Sequence, residues 1–430
     1  AISNPFGSFL NFFLRVVFSS TLSLVQCFLN SFSDKMYLPF QFNSGNVSTC
    51  FWAHVNGSDG IFSSGFKPNA TFLKKFFIVI KYLIYTYIIK KSDKMKTNSL
   101  KSLIKKIFIS HKLTERHAII CAEALINAEL VGAPSHGLSR LKMYCDRISK
   151  KVINPKAKIK VKKISQSISH VDGNNSIGFV AADTAIKIAI KNAKKTGIGL
   201  VAVKNSGHYG LSGYYAEQAV KKGLIVMVFT NAPPAVAPHG ALKSLFGTNP
   251  ICFGTPTGSK VPFILDTSIS MINRGKIRVA AREGGKIPEG VALDKFGKPT
   301  TDPKKALEGV QLPIAGFRGS GLAWMVDILS GVLTGGNHAG RVKDPFTDFS
   351  GPQNIGHLFF VIKPNLFVGN AFNKRIKDNI QTIKKLPKIK GVKEILYPGQ
   401  NKFNKLKSNL KKEISISKTI LKDLEYLQNV

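Results

Sequence analysis

Acidic residues and cysteine are scarce in this chain. Against 62 Lys and Arg stand only 24 Asp and Glu, so the formal charge is +38 over 430 residues. An excess of that size ordinarily points to nucleic acid or a membrane surface. Here the lysines are spread along the chain, with doublets at Lys150-Lys151 and Lys162-Lys163 and a denser stretch over residues 374–418. Neither interleaved aromatics nor a recognised nucleic-acid motif accompanies them, so the reading is a solvated lysine surface with no nucleic-acid partner. The cysteines, Cys27, Cys50, Cys121, Cys145 and Cys252, form no CxxC and no Cys/His ligand spacing. Their scatter speaks against structural zinc or any other metal, and for a reducing compartment, the cytoplasm.

A long apolar run is missing too. Residues 76–89 (FFIVIKYLIYTYII) come nearest, but Lys81 interrupts them, and they fall short of the ~20 residues a spanning helix needs. No small-residue cleavage site follows. No membrane partner is therefore expected, and the sequons at Asn46, Asn56 and Asn69 are read as chance matches. A dinucleotide fingerprint in working context is also absent. Gly197-Ile198-Gly199-Leu200-Val201-Ala202 has the spacing, but it follows a helix and enters a strand. A pyrophosphate needs glycines that leave a strand and open a helix. Any dinucleotide is held by something other than an ordinary Rossmann unit.

What is present is a globular composition, 44% hydrophobic, with length for two or three domains. Residues 1–94 are rich in Phe and Ser, begin at Ala1 and keep no periodicity for long. Met95 opens a helical pattern, and we expect it to be the natural first residue, preceded by translated upstream sequence. Thr114 suits the N-cap of a helix running to Gly132 and Pro134. Residues 136–147 are then read as a second helix, which would put His136, Arg140 and Tyr144 on one face: a proton donor, a carboxylate-binding guanidinium and a phenol. The competing reading has His136 capping and Arg140 in a surface ion pair.

Residues 164–173 read as a strand ending in a turn, and 178–194 as an amphipathic helix. Four apolar runs, GLVAVKN, LIVMVFT, PICFG and PFILD, have the length of buried strands whose tips carry chemistry. His208 follows the first and Asp266 closes the last. Ser206, Gly207 and Gly210 suit a tight strand-to-helix loop whose N–H groups can hold an anion. His208 either meets a ligand there or is satisfied by backbone; Asp266 either orients a histidine or cofactor group or makes a structural hydrogen bond. Residues 231–240 are too Pro-rich for helix or central strand and are read as an ordered loop. His338 and His357 are read as structural or interfacial. RGKIRVAARE should be a helix, followed by a long irregular segment, and the tail one or two amphipathic helices.

The segments SHGLSR, VDGN, NSGHYGLSGYYAE, TNAPPAVAPHGA, GTNPICF, PFILDTS, RGKI, IPEGVALDKFGKPTTDP, NIGHLFF and YPGQ resemble, in this order, the type 2 malate/L-lactate dehydrogenase family. That family also holds ureidoglycolate dehydrogenase, diketogulonate reductase, sulfolactate dehydrogenase and piperideine-2-carboxylate reductase. The resemblance begins near Met95 and implies an α/β fold: a non-Rossmann nicotinamide-binding domain with a mixed sheet (171–344), and a mostly helical substrate and dimer domain (95–170 with 345–430). It implies a homodimer moving hydride between NAD or NADP and C2 of a 2-hydroxy or 2-oxo acid. Ureidoglycolate oxidation, cyclic-imine reduction and a non-catalytic basic binding protein are the alternatives.

By the same resemblance His136 is the proton donor, His208 the acid/base some members use, and Arg140 faces the substrate carboxylate, with Tyr144 beside it. Asp266, Thr267, Ser268, Gly316, Arg318, Gly319 and Gly399 line the cofactor, as do Ser206, Gly207, Asn231, Thr248 and Asn249. Where relatives carry Gly-His-Lys-Gly-Tyr-Gly, this chain has Phe317, Arg318 and Ser320 in three of the places. The intact mass of the chain from its native host should correspond to a start at Met95; a mass that includes residues 1–94 refutes that expectation.

Overall fold

A computed structural model describes residues 36–44, 47–55 and 94–429, in two compact units, Ala1–Tyr87 and Ile88–Val430. In the first, β1 (Met36–Ser44) and β2 (Val47–Val55) pair antiparallel, Met36 opposite Val55. Residues 76–89, the three sequon asparagines and Cys27 lie outside the described residues.

The second unit opens with β3 (Lys94–Met95) and two helices, α1 (Thr97–Ser110) and α2 (Glu115–Leu130). Leu100, Leu103, Ile104, Ile107 and Phe108 recur at helical spacing and are buried, the stripe an amphipathic helix needs. Thr114 caps α2, its hydroxyl accepting from the His117 N–H at 3.3 Å. The single helix expected over 136–147 is not formed. Two one-turn 3₁₀ segments, Pro134–His136 and Leu138–Arg140, precede α3 (Leu141–Ser149). Gly137 between them, at φ −99° and ψ −132°, lies outside helical space and breaks the ladder.

The sheet elements follow: β4 (Lys160–Lys163), β5 (Ile168–Asp172), α4 (Gly178–Thr196), β6 (Ile198–Ser206), α5 (Ser212–Val220), β7 (Ile225–Thr230), β8 (Ile251–Thr255) and β9 (Phe263–Thr267). Next come α6 (Arg274–Glu283), β10 (Ala292–Leu293), α7 (Pro303–Glu308), β11 (Val310–Gln311), α8 (Phe317–Asp327) with a π-helical continuation Ile328–Val332, and β12 (Ile355–Ile362). Gly197, left-handed at φ +94°, ends α4 and turns the chain into β6, so the glycine pattern there enters a strand as expected. The segment expected to be irregular closes a small core of its own from Ile272, Ile277, Ile287, Val291, Ala292 and Ala306.

The strands assemble in the order β4-β5-β6-β12-β7-β8-β9. β5 and β6 run parallel across the α4 crossover, and the other neighbours pair antiparallel. Alternate residues face opposite sides. Val201, Val203, Val226, Val228, Phe359 and Val361 pack in one core with residues of α4 and α5. Phe229 and Leu358, with Leu200, Ala202 and Met227, pack with Val326 of α8. The fold is thus a mixed sheet between two helical layers.

β12 corrects the expected partition: residues 345–430 were assigned to a helical domain, yet this strand lies at the middle of the sheet. An apolar strand satisfies its backbone only between partners, and β6 and β7 supply both. The tail holds three longer helices, not one or two: α9 (Asn365–Val368) is a single turn before α10 (Ala371–Lys385), α11 (Gln400–Asn409) and, after β13 (Ile414–Ser415), α12 (Lys418–Gln428). β13 pairs with β3.

Register gathers the chemistry at one end of the sheet. Ser206 stands opposite Ile355, Thr230 opposite His357, and Ile251 opposite both Phe229 and Thr267. His357 is fully buried there. Its Nδ1 meets Thr230 Oγ1 at 2.7 Å, its Nε2 meets Ser206 Oγ at 2.8 Å, and the Tyr209 ring stacks on it at 4.4 Å.

Burial pushes the His357 pKa down to about 3, so the folded chain keeps it neutral while the unfolded chain protonates near the ordinary value of about 6.5. Protonation of the unfolded chain alone lowers stability as pH falls through that interval, by about 1.4 kcal/mol per unit. Denaturant titrations should therefore show wild type losing more stability than His357→Gln between pH 7 and pH 4.5; equal losses would refute this.

Candidate active site

α2 positions the first histidine. Glu129 accepts a hydrogen bond from the Leu138 N–H at 2.7 Å, fixing the turn that follows His136. A Cβ on Gly137 would run into the Glu129 carboxylate, which is the local reason for glycine in Ser-His-Gly. His136 Nδ1 lies 3.0 Å from Ser135 Oγ. β6 positions the second histidine, in the loop leading to α5. Gly178, at the start of α4, abuts the carbonyls of Gly207 and His208 so closely that any side chain would displace them. Gln353 Oε1 accepts from the His208 N–H at 3.3 Å.

The structure brings the two imidazoles together, ring centroids 5.9 Å apart and 22° from parallel. Buried Tyr144 closes the group, its hydroxyl 2.5 Å from His208 Nδ1. The phenol expected beside the substrate thus has its hydroxyl engaged by histidine. With no second acceptor for it among the described residues, the phenol donates, Nδ1 accepts, and the proton of neutral His208 resides on Nε2.

Arg140 did not join His136 and Tyr144 on one helix face, because the chain is 3₁₀ there. Its Nε donates to the Ser135 carbonyl at 2.7 Å, and its guanidinium lies 4.9 Å from the centre of the Phe346 ring. No carboxylate among the described residues lies within ion-pair distance of it, and the surface ion pair weighed as an alternative is not formed.

Burial first, then the Arg140 charge, push the His136 pKa down to about 4. The same two causes hold His208 well below the ordinary histidine value. Both rings are neutral at pH 7. Asp266 is near enough to counter part of the shift at His136; its Oδ2 accepts from the Gly213 N–H at 2.9 Å and lies 3.6 Å from Lys402 Nζ. Lys402, Ser135 and Gln353 were not foreseen, since nothing local in sequence marks a residue that acts by long-range contact.

The residues expected at the cofactor divide by what their side chains already do. Ser206 is bonded to His357. Asn231 bonds Asn337 O and accepts from the Gly356 N–H. Asn249 accepts from Ala232 and donates to the Ala323 carbonyl at 2.9 Å. These three side chains hold loops in place; Gly207 offers only backbone. Thr248, Thr267 and Ser268 lie at the same sheet end, where the Thr248 carbonyl accepts from Ile269 and the Thr267 hydroxyl donates to the Ser268 carbonyl. Gly399, at φ +93°, precedes α11, and the Pro398 carbonyl accepts from Ile264.

Gly316 stands at the N-cap of α8 without a side-chain cap, and Arg318 in the first turn is exposed. Gly319 packs against the Ile314 carbonyl, and Ser320 Oγ accepts from the His239 N–H at 3.0 Å. An uncapped helix start beside an exposed arginine fits a phosphate, so the residues present suit a nicotinamide dinucleotide. His338 Nε2 lies 2.9 Å from Arg341. Arg147, buried on α3, donates to the carbonyls of Asp348 and Gly351 at 2.9 and 3.2 Å, tying the loop that carries Phe346 to the helix that carries Tyr144. Among the described residues no group of three or more His, Cys, Asp or Glu is placed to hold a metal, and no helix is long and apolar enough to cross a membrane.

The site is thus a histidine pair at the end of a mixed sheet that has no Rossmann glycine turn. Residues 95–425 match the model of the malate/L-lactate dehydrogenase family, and the chain belongs to that family. The malate/(S)-sulfolactate dehydrogenase of Methanothermus fervidus is 36% identical over 326 residues, 76% of this chain and 94% of that one. The NAD(+) ureidoglycolate dehydrogenase of Escherichia coli K12 is 32% identical over 309 residues, 72% and 88% of the two chains. The solved sulfolactate dehydrogenase of Methanocaldococcus jannaschii matches at a TM-score of 0.74 and 37% identity, covering 78% of this chain and 96% of that one.

Tyr144→Phe keeps the ring against Phe179 and removes the hydroxyl. The expected loss is about 1–2 kcal/mol of unfolding free energy, with the ring ¹⁵N shifts of His208 moving toward a tautomer mixture; unchanged shifts would overturn the hydrogen-bond assignment.

Proposed function

We propose that the chain is an NAD(P)-dependent oxidoreductase that interconverts a 2-hydroxy acid and its 2-oxo acid. The observation that carries this is the pair of neutral imidazoles beside a guanidinium without a carboxylate partner. The start of α8, Arg318 and the Thr267-Ser268 strand tip would hold a nicotinamide dinucleotide, which would supply or accept the hydride at C2. The chain's own residues do the rest.

Arg140 takes the C1 carboxylate, its fork matching two oxygens. His208 presents Nε2–H to the C2 oxygen. His136, with Nδ1 held by Ser135, takes the hydroxyl proton in oxidation and returns it in reduction. Asp266, with Lys402, holds the start of α5 through Gly213. A substrate carboxylate on Arg140 neutralises one of the two charges that depress His136, so its pKa rises when substrate binds and the ring becomes a competent acid for the reduction.

The chain is further proposed to act as a homodimer in the cytoplasm, without nucleic-acid or membrane partners. α8 and its continuation support the dimer: Phe317 is 76%, Trp324 61%, and Val332 and Leu333 55% and 57% exposed, more apolar surface than a lone helix normally leaves in water. Three described cysteines, Cys121, Cys145 and Cys252, are buried free thiols, which supports a reducing compartment. Light scattering reads the dimer, and a monomer at working concentration would refute it.

Reduced-nicotinamide absorbance with a panel of 2-hydroxy and 2-oxo acids tests the activity. His136→Asn and His208→Asn should each lower kcat by roughly 10²–10⁴ with circular dichroism unchanged; full activity in both would refute the roles. For oxidation, kcat/KM should hold as pH falls until it approaches about 4, where free His136 gains a proton. The corresponding break in kcat should lie at higher pH.

A further inference from the structure

At the root of the His208 loop the chain encloses a small cavity. Arg147 in the last turn of α3, Ser176 in the turn between β5 and α4, Ser206 and Gly207 where β6 ends, and Gln353 ahead of β12 are among the residues that line it. It offers about 10 Å³ to the centre of a water-sized particle, so that it holds one such particle. Arg147 is 1% and Ser176 2% exposed. Nε of the one and Oγ of the other are buried with no hydrogen-bond partner among the described residues. Buried polar atoms are nearly always bonded, and two orphans on the wall of one cavity call for an occupant.

Charge decides what that occupant is. The Arg147 guanidinium has no carboxylate within ion-pair distance among the described residues, although Asp348 and Asp344 are near enough to favour its charge. Each of these acids turns to its own loop. Asp344 Oδ1 accepts from the N–H groups of Phe346 and Thr347, and Asp348 Oδ1 from the N–H and hydroxyl of Ser350. The groups that Arg147 does bond are neutral carbonyls, and a buried cation without a counter-charge costs stability. Both orphans are donors as well, since Nε–H can only donate and the Ser176 hydroxyl has its proton free. The side-chain oxygens of the same wall, Ser206 Oγ and Gln353 Oε1, already meet His357 Nε2 and the His208 N–H. A water would bring two more protons to a wall that offers donors; an anion brings none.

We propose that this cavity binds one monovalent anion of halide size, held by Arg147 Nε and Ser176 Oγ through charge-assisted hydrogen bonds. The anion links α3, which carries Tyr144, to the turn ahead of α4 and the root of the His208 loop. It thereby braces both partners of the Tyr144–His208 hydrogen bond and makes the stability of the fold depend on halide. Neither Arg147 nor Ser176 has a part in the proposed hydride or proton transfer, so the anion site stands apart from the hydroxy-acid reading.

Crystals soaked in sodium bromide test the site directly: anomalous diffraction should place one bromide within hydrogen-bond distance of Arg147 Nε and Ser176 Oγ. Thermal unfolding of the full chain in sodium bromide, against sodium gluconate at equal ionic strength, should show a Tm that climbs with the logarithm of bromide concentration once that exceeds Kd. Ser176→Ala leaves the guanidinium in place and removes one donor, and should move the onset of that climb to roughly 10-fold higher bromide. A cavity without bromide signal, whether dry or holding a water, would overturn the proposal. So would a bromide dependence of Tm that is the same in wild type and Ser176→Ala.

Discussion

The central strand, β12, is the constraint on which the architecture depends. It pairs antiparallel on both sides, and it carries a histidine with no exposure to water. An imidazole buried so completely must have both ring nitrogens bonded. Ser206 closes β6 and Thr230 closes β7, and their hydroxyls meet the two nitrogens. Sliding β12 by one residue on either neighbour would break this bridge and turn the apolar side chains to the wrong faces. The loops holding His208, Asn231 and Gln353 leave from strands whose register is locked in this way, so precision at the sheet end follows from a structural histidine that does no chemistry.

From that end the reacting groups are assembled out of remote stretches of chain. His136 comes from a turn braced by Glu129 of α2, His208 from a loop resting on Gly178, and Tyr144 from α3. Low dielectric and a nearby guanidinium keep both histidines uncharged, which is the state a proton acceptor needs before substrate arrives. The guanidinium that adds to the effect of burial on both rings is the one proposed to take the substrate carboxylate. In that proposal binding and proton affinity are linked through one side chain.

Much of this could be read before the structure. Apolar runs of strand length ended where His208 and Asp266 begin their loops, and the false glycine fingerprint was recognised because it faced the wrong way along the chain. Local chemistry decides such features, and local chemistry is what a sequence displays. The failures share a cause. The 136–147 helix was interrupted because space beside Gly137 is filled by Glu129, eight positions earlier. β12 was placed with the helical tail, since only pairing partners far away in the chain make it a central strand. The side chains of Asn231 and Asn249, expected at the cofactor, are bonded to loop backbone, which sequence does not display. Lys402 and Gln353 had no signal beyond residue type.

The Arg147 clamp has a consequence for how the substrate side of the cleft endures acid. Its acceptors are peptide oxygens, which bind no proton over the range in which proteins fold, whereas a carboxylate acceptor would let go as it became neutral. The tie between the strap from Pro345 to Gly351 and its helix is accordingly indifferent to acidity, whereas the turns of the strap are not: Asp344 accepts from the N–H groups of Phe346 and Thr347, and Asp348 from that of Ser350. Acid therefore loosens those turns before it frees the strap from α3.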